Sequence, residues 1–144
     1  MKITAITEIK ANNLKIWKIL SNLNEYESWT GIYSFYNSKE FILSQHVKIG
    51  MQLNFRNKIK LNGKIEKIIP QQFLKIHFEK GFKLFLSGSI SFQMKSIQPN
   101  VVAFVQEIHI SSPFLFLLWD LFYKDVFHTA CNKFNADLKR CCEM

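Results

Sequence analysis

The stretch from Ser112 to Met144 reads SPFLFLLWDLFYKDVFHTACNKFNADLKRCCEM and has the apolar spacing of one long helix. Ser112 suits the N-cap position and Pro113 the first helical position. The stretch follows a region, Tyr33 to Ile110, dominated by the alternation that is typical of strands. A long apolar helix has to bury its stripe, and the only large partner in the chain is the sheet that this region would form. The sequence therefore predicts a sheet wrapped around a C-terminal helix.

The helical pattern changes character at Tyr123. From Tyr123 to Cys141, which we call the grip segment, a single apolar stripe opposes a polar side. Its stripe consists of Tyr123, Phe127, Ala130, Cys131, Phe134, Leu138 and Cys141. Residues Phe114 to Phe122, the start segment, are apolar on nearly every side. Because such a segment must be covered on more than one face, we expect a lid, a second copy of the chain or a membrane surface there.

The opening of the chain predicts one strand followed by short helices. Residues from Ile3 to Ile9 alternate between apolar and polar, as in a half-buried strand. Asn12 and Asn13 offer an N-cap for a helix that ends near Ser21, and Asn24 to Trp29 fit one or two further helical turns.

The middle of the chain predicts antiparallel strands with apolar inner faces. A three-residue loop, Arg56 to Lys58, would place Phe55 opposite Ile59 and turn Phe55 inward. The same pairing makes Gly63 a strand residue at a point of close approach. The later inner faces are predicted to carry Leu74, Ile76 and Phe78; Leu84, Leu86, Ile90, Phe92 and Met94; and Val102, Phe104, Gln106, Ile108 and Ile110.

Composition and charge limit the function classes. The 144 residues are 48% hydrophobic and 21% charged, which predicts a single globular domain over residues 1–144. No apolar run is long enough to cross a bilayer and the N-terminus lacks a signal-peptide pattern, so we expect a cytoplasmic protein. The net charge is +8, but only Arg56 and Arg140 are arginines and the lysines are spread along the chain. We therefore expect a solvated basic surface and no specific nucleic-acid partner.

The residue types that could hold a metal or a cofactor do not have the spacing that such sites require. Cys131 is too distant from Cys141 for a disulfide along a helix, and a bridge between Cys141 and Cys142 would be strained, so free thiols are predicted. The four histidines share no ligand spacing with each other or with the cysteines. Each glycine is isolated, so no phosphate loop is present. We expect no metal and no cofactor.

A set of residues spread over the whole chain resembles the START-like, polyketide cyclase/dehydrase superfamily called SRPBCC. The matching residues are Ala11, Ile16, Trp17, Ile19, Leu20, Asn22, Tyr26, Trp29, Gly50, Gly63, Ile65, Pro70, Leu74, Ile90, Phe92, Met94, Phe134, Leu138 and Lys139. The resemblance implies an α+β helix-grip fold, in which a curved antiparallel sheet wraps around a long C-terminal helix and one or two short helices follow the first strand. It also implies an apolar cavity for a lipid, a polyketide or an isoprenoid-like molecule.

The predicted ligand contacts combine inner-face aromatic residues with two polar groups. They are Trp29, Phe55, Phe78, Phe92, Phe104, Gln106, Trp119, Tyr123 and Phe127. Acids and bases are scarce on these faces, because strand parity points His77, His109 and Glu107 outward. Gln106 and Tyr123 can orient a ligand by hydrogen bonding, but they do not form a proton shuttle.

The sequence favours a binder or carrier of a small hydrophobic ligand over an enzyme. The apolar start segment and the surface lysines would allow a transient contact with an anionic membrane, and the start segment could also join two copies. Two alternatives remain open. One is a cyclase/dehydrase-type enzyme that uses Tyr123 or His128 on a polyketide-like substrate, and the other is a basic interaction protein that contacts ribosomes or chaperones.

Overall fold

Seven strands and a long C-terminal helix make up most of the chain. The structure is a computed structural model, and it describes residues 1–36, 38–80, 86–113 and 115–144, without the side chains of Lys80, Leu115 and Phe116. The elements are β1 (Lys2–Ile9), α1 (Asn13–Ser21), a 3₁₀ turn (Leu23–Glu25), α2 (Tyr26–Trp29), β2 (Tyr33–Tyr36), β3 (His46–Gln52), β4 (Lys58–Ile69), β5 (Phe73–Lys80), β6 (Leu86–Gln98), β7 (Val101–Ser111), α3 (Leu115–Leu118), a π-helical turn (Trp119–Tyr123) and α4 (Lys124–Cys142).

The strands form one antiparallel sheet in the order β1-β7-β6-β5-β4-β3-β2. The sheet curls around α4, which lies closest to β1. The amide of Asn135 on α4 donates to the carbonyl of Ala5 at 3.1 Å, and Lys139 Nζ donates to the carbonyl of Glu8 at 2.8 Å. The predicted α+β helix-grip architecture, with short helices after the first strand, is confirmed.

Strand alternation places the core on the concave face of the sheet. Ile65, Ile76 and Ile90 are fully buried there at paired positions of β4, β5 and β6, while Lys64, Glu66 and His77 beside the first two are exposed. At the other side of the core, Asn12 caps α1 by accepting from the Lys15 backbone N–H at 2.8 Å. Asn12 was one of the two N-cap residues predicted from the sequence. Of the inner-face residues, Leu84 lies outside the described residues.

The turn between β3 and β4 differs from the prediction. Met51 pairs with Ile59, so the strands are joined by residues 53–57 and not by a three-residue loop. Asn54 closes this turn, because its Oδ1 accepts from the backbone N–H groups of Arg56 at 3.0 Å and Asn57 at 2.9 Å. Phe55 therefore sits at the tip, 87% exposed, with the Arg56 guanidinium 5.1 Å from its ring centroid. The prediction that Phe55 lines the interior is wrong.

Gly63 is a strand residue of β4, as predicted, and its neighbours explain why no side chain fits. It pairs with Val47 on one side and Phe78 on the other. A Cβ atom built on Gly63 would lie 2.8 Å from Ile49 Cδ1 and 3.1 Å from both Ile76 Cγ2 and Val47 Cγ2. Glycine lets these three side chains meet over the strand.

The long C-terminal helix is present as predicted, and it contains a π-helical turn that the sequence did not predict. A π-helical turn at Trp119–Tyr123 joins α3 to α4, so the geometry changes at the residue where the sequence pattern changes. Because a π-helical turn is wider than an α-helical turn, the described apolar side chains of α3 point in a different direction from those of α4. Trp119 is buried, whereas Leu117, Leu121 and Phe122 of the start segment are 76%, 75% and 63% exposed. Phe114 lies outside the described residues. Among the described helices, none combines the length and apolar character needed to cross a membrane.

Candidate functional site

The candidate site is the space between the concave face of the sheet and the C-terminal helix. Four predicted contacts line it from the sheet and are buried, namely Phe78, Phe92, Phe104 and Gln106. Trp119 and Phe127 are buried on the helix side, with their ring centroids 5.6 Å apart. Tyr123 is half-buried beside the core. Eight of the nine predicted contacts thus face or border the interior, and Phe55 does not.

Phe134 organises the aromatic part of this space and was not among the predicted contacts. Its ring centroid lies 4.8 Å from that of Tyr33, 5.4 Å from that of Trp29 and 5.5 Å from that of Phe92. At this level the interior is filled by rings of the protein. The helical stripe Phe127, Phe134 and Leu138 carried the signal, because Phe134 follows Phe127 by seven residues and must lie on the same face.

A chain of hydrogen bonds crosses the interior at Gln106. Its Oε1 accepts from the Tyr33 hydroxyl at 2.6 Å, and its Nε2 donates to Asn135 Oδ1 at 2.8 Å and to the Cys131 carbonyl at 3.2 Å. Tyr33, Gln106 and Asn135 are buried. The sequence pointed to Gln106 but missed its partners. Asn135 follows Cys131 by four residues, so a polar residue beside the apolar stripe was the available signal.

Trp29 has a buried donor with no partner. Its Nε1 is the one buried side-chain nitrogen or oxygen in the described part of the chain that makes no hydrogen bond. The indole ring packs on Tyr26, with centroids 4.8 Å apart, and on Phe134. The position of α2 is held by Thr30, whose Oγ1 donates to Asp137 Oδ2 on α4 at 3.0 Å. The unpaired N–H therefore sits in an aromatic wall on a segment tied to the C-terminal helix.

Solved structures of low sequence identity share this architecture. TTHA0849 from Thermus thermophilus has a TM-score of 0.78 at 9% identity, covering 99% of this chain and 97% of its own. The Zhui aromatase/cyclase from Streptomyces sp. R1128 has a TM-score of 0.75 at 8% identity, covering 99% and 93%. MLL2253 from Mesorhizobium loti has a TM-score of 0.74 at 12% identity, covering 99% and 97%. The chain shares the helix-grip fold of these proteins.

The likeness to these proteins rests on structure alone. No family model matches the chain, and no curated protein matches it in sequence. At 8 to 12% identity, the likeness shows the fold and nothing finer. What this chain can bind or catalyse depends on its own side chains.

Three buried titratable groups, Tyr26, Tyr33 and Cys131, hold their protons at neutral pH. Burial raises the pKa of Tyr33 and of Tyr26 well above 10.0. Burial also raises the pKa of the Cys131 thiol to about 12. At neutral pH these groups act as hydrogen-bond donors and cannot abstract a proton from a substrate.

The charged groups of the fold lie mainly outside the candidate site. His77 and His109 point outward, as predicted, and each lies 3.5 Å from a glutamate carboxylate, of Glu79 and Glu107 respectively. His128 is exposed on α4. Within the described residues, no group of three histidine, cysteine, aspartate or glutamate side chains could hold a metal ion. The cysteines are free thiols.

Clefts on the surface of the domain open away from α4. One cleft has a volume of about 560 Å³ and lies between Asn13 of α1 and the strand residues Lys67, Phe73 and Met94. Another, of about 330 Å³, lies on the outer face of the sheet and is lined by Tyr36, Lys48, Lys60, Leu61 and Asn62.

Proposed function

We propose that this domain binds a small hydrophobic molecule between its sheet and its C-terminal helix, and that the ligand carries an oxygen that accepts a hydrogen bond from Trp29. The observation that carries the proposal is the unpaired Nε1–H of Trp29 within a wall of aromatic rings. A buried donor without an acceptor costs about 1–3 kcal/mol. A ligand ketone, hydroxyl or carboxylate would remove that cost, while its apolar body is taken out of water.

The surrounding side chains support an aromatic or polyketide-like ligand over a purely aliphatic one. Rings of Tyr26, Phe134 and Tyr33 provide faces and edges suited to a flat molecule. The ligand would have to displace or reorient some of these rings, because they contact one another. Lipid and isoprenoid-like molecules remain within the proposed class.

We propose binding without turnover. The interior offers the protonated side chains of Tyr33 and Cys131, which can orient a carbonyl but cannot take a proton from it at neutral pH. Tyr123 and His128, the residues considered for an enzyme, lie half-buried and exposed respectively. The Zhui protein carries the description aromatase/cyclase, and for this chain only the binding part of such a role is proposed.

The start segment is the proposed loading surface. Lys80 pairs with Leu86 and Ser87 with Ser111, so β5 ends, β6 begins and β7 ends at the end of the sheet where the C-terminal helix starts. Leu117, Leu121 and Phe122, near the start of that helix, are exposed. A transient contact with an anionic membrane would cover them during loading. Self-association through the same side chains is the competing outcome, and analytical ultracentrifugation at increasing protein concentration distinguishes the two.

Ligand binding is tested on the purified protein with 1,8-dihydroxyanthraquinone, a flat aromatic ketone, and with oleic acid as the aliphatic comparison. The Trp29→Phe variant keeps an aromatic ring and removes the N–H. We expect it to weaken anthraquinone binding about fivefold to tenfold, as the loss of one hydrogen bond would. Trp17→Phe on α1 is the matched control and should leave binding unchanged.

Native mass spectrometry of the protein as purified is the second measurement. A stoichiometric apolar molecule that is released by organic solvent would support the proposal. If neither probe binds and no apolar molecule is retained across expression hosts, the proposal is wrong.

A further inference from the structure

The outer face of the sheet carries a concentrated basic surface that the interior site does not use. Outward positions of β3 and of the first half of β4 hold four lysines, Lys48, Lys58, Lys60 and Lys64. The pairing of Gly50 with Lys60 and of Lys48 with Asn62 brings these side chains onto adjacent rows. We call them, together with Tyr36 of β2, the lysine face.

In the part of the chain that the structure describes, the lysines of the lysine face are not held in ion pairs, although Glu79 pairs with Asn62 beside them and Glu66 follows Lys64 by two residues. Lys75, one strand further along, lies 3.6 Å from Glu66, and Lys2 lies 3.5 Å from Glu107. None of the ion pairs among the described residues includes a lysine of the lysine face. Four uncompensated cations on neighbouring strands repel one another, so a partner with closely spaced negative charges would relieve an existing cost.

An exposed aromatic ring lies among these cations. Lys58 Nζ is 5.4 Å and Lys60 Nζ is 6.0 Å from the ring centroid of Tyr36. The hydroxyl of Ser34 donates to the Tyr36 hydroxyl at 3.3 Å. A Cβ on Gly50 would lie 2.8 Å from Lys58 Cε and 3.0 Å from the Tyr36 hydroxyl, so glycine leaves room for these side chains to cross the strand. The result is a cleft of about 330 Å³ between Tyr36, Lys48, Lys60 and Asn62.

The composition of the lysine face favours a nucleic-acid strand over a membrane. The outward residues of β3, and those of β4 from Lys58 to Lys64, include no large apolar side chain that could insert into a bilayer, and the exposed Phe55 lies at the tip of the turn between these strands. The row from Lys58 to Lys64 is about 20 Å long at the usual strand rise. Cations along a row with an aromatic side chain beside them are the combination that binds single strands through phosphates and stacked bases. Lysine in place of arginine predicts weak sequence preference.

We propose that the lysine face binds single-stranded nucleic acid, with Lys48, Lys58, Lys60 and Lys64 on phosphates and Tyr36 against a base. The site is independent of the interior ligand. Binding that uses four phosphate contacts should give a slope of log affinity against log salt of about −3.

Fluorescence anisotropy with a labelled oligouridine of about a dozen nucleotides tests this proposal. Lys48→Gln combined with Lys60→Gln should reduce the salt slope by about 1.4. Lys95→Gln combined with Lys124→Gln lowers the net charge equally at exposed positions of β6 and α4, and should leave the slope unchanged. Tyr36→Leu should weaken oligouridine binding at least fivefold and leave binding of inorganic polyphosphate unchanged.

Three results would overturn the proposal. The first is an equal loss of affinity in the two double variants, which would make net charge the cause. The second is tighter binding to polyphosphate, or to vesicles of equimolar phosphatidylglycerol and phosphatidylcholine, than to the oligouridine. The third is the absence of measurable oligouridine binding at low salt by a protein whose circular dichroism shows that it is folded.

Discussion

Tyr33 donates its hydroxyl hydrogen to Gln106 Oε1 at 2.6 Å. Tyr33 begins β2, one edge of the sheet, whereas Gln106 lies on β7, next to the other edge, and four strands separate the two. A direct bond between them requires the sheet to curl until its two sides nearly meet. The hydrogen bond therefore shows how far the sheet curls around the C-terminal helix. Asn135 of that helix is linked to it through Gln106.

Gln106→Leu should lower the free energy of unfolding by about 3 kcal/mol, because it leaves the Tyr33 hydroxyl and Asn135 Oδ1 without these partners inside the core. Urea denaturation measures the change. Gln93→Leu, on the outer face of β6, is the control and should change stability by less than about 0.5 kcal/mol. In the Tyr33→Phe, Gln106→Leu double variant the cost should be smaller than the sum of the single costs, and strict additivity would contradict the coupling.

Gly63→Ala should destabilise the fold by about 1–3 kcal/mol, because the new methyl group meets Ile49, Ile76 and Val47 within 3.1 Å or less. The same change at Gly31 is the matched control, since a Cβ there has no atom within 4 Å. Thermal unfolding of both variants measures the difference. Equal melting temperatures would show that the three neighbours move aside without cost.

The three thiols should react unequally in the folded protein. Burial raises the pKa of Cys131 and of Cys142 to about 12, so almost no thiolate forms on either at neutral pH. Cys141 is partly exposed. A colorimetric thiol reagent should therefore titrate one fast group, which Cys141→Ser removes, and three groups after denaturation. Fast reaction at two or more sites in the native protein would contradict this arrangement.

Stability should decrease as the pH rises above about 9. The pKa of Cys131 and Cys142 is raised from 9.0 to about 12, and that of Tyr26 and Tyr33 lies well above 10.0, all mainly through burial. The unfolded chain therefore loses these protons first, which favours unfolding between pH 9 and 12. The contribution of these groups is fully present below pH 9.

One exposed group opposes this trend. Hydrogen bonds from Lys58 and Ser34 lower the pKa of Tyr36, so its ionised form is favoured in the folded state and stabilises the fold as the pH rises. Urea midpoints measured from neutral pH to pH 11 test the balance. Tyr26→Phe should flatten the decrease, and a midpoint that rises with pH would show that the buried groups do not dominate.

Local periodicity was sufficient to predict which residues lie on the inner faces of the strands, but it predicted the wrong turn between β3 and β4. Gly63 and Ile65 were assigned correctly because alternation within a strand depends on parity alone. Phe55 was misplaced because the Asn54 side chain holds a longer turn, and a single side-chain hydrogen bond of this kind leaves no mark in hydrophobic spacing. The π-helical turn was missed for a related reason, since the apolar pattern of the start segment has no preferred face.

The sequence by itself determined the order of the elements, the apolar stripe of the grip segment and the inward position of Gln106, because these follow from spacing between near neighbours. Only the tertiary structure decided which groups meet across the interior and which cations gather outside. Lys48 and Lys60 lie apart in the chain and become neighbours through the register of β3 and β4. Trp29 came to hold an unpaired donor because the curl of the sheet and the docking of α2 on α4 arise from contacts between distant residues.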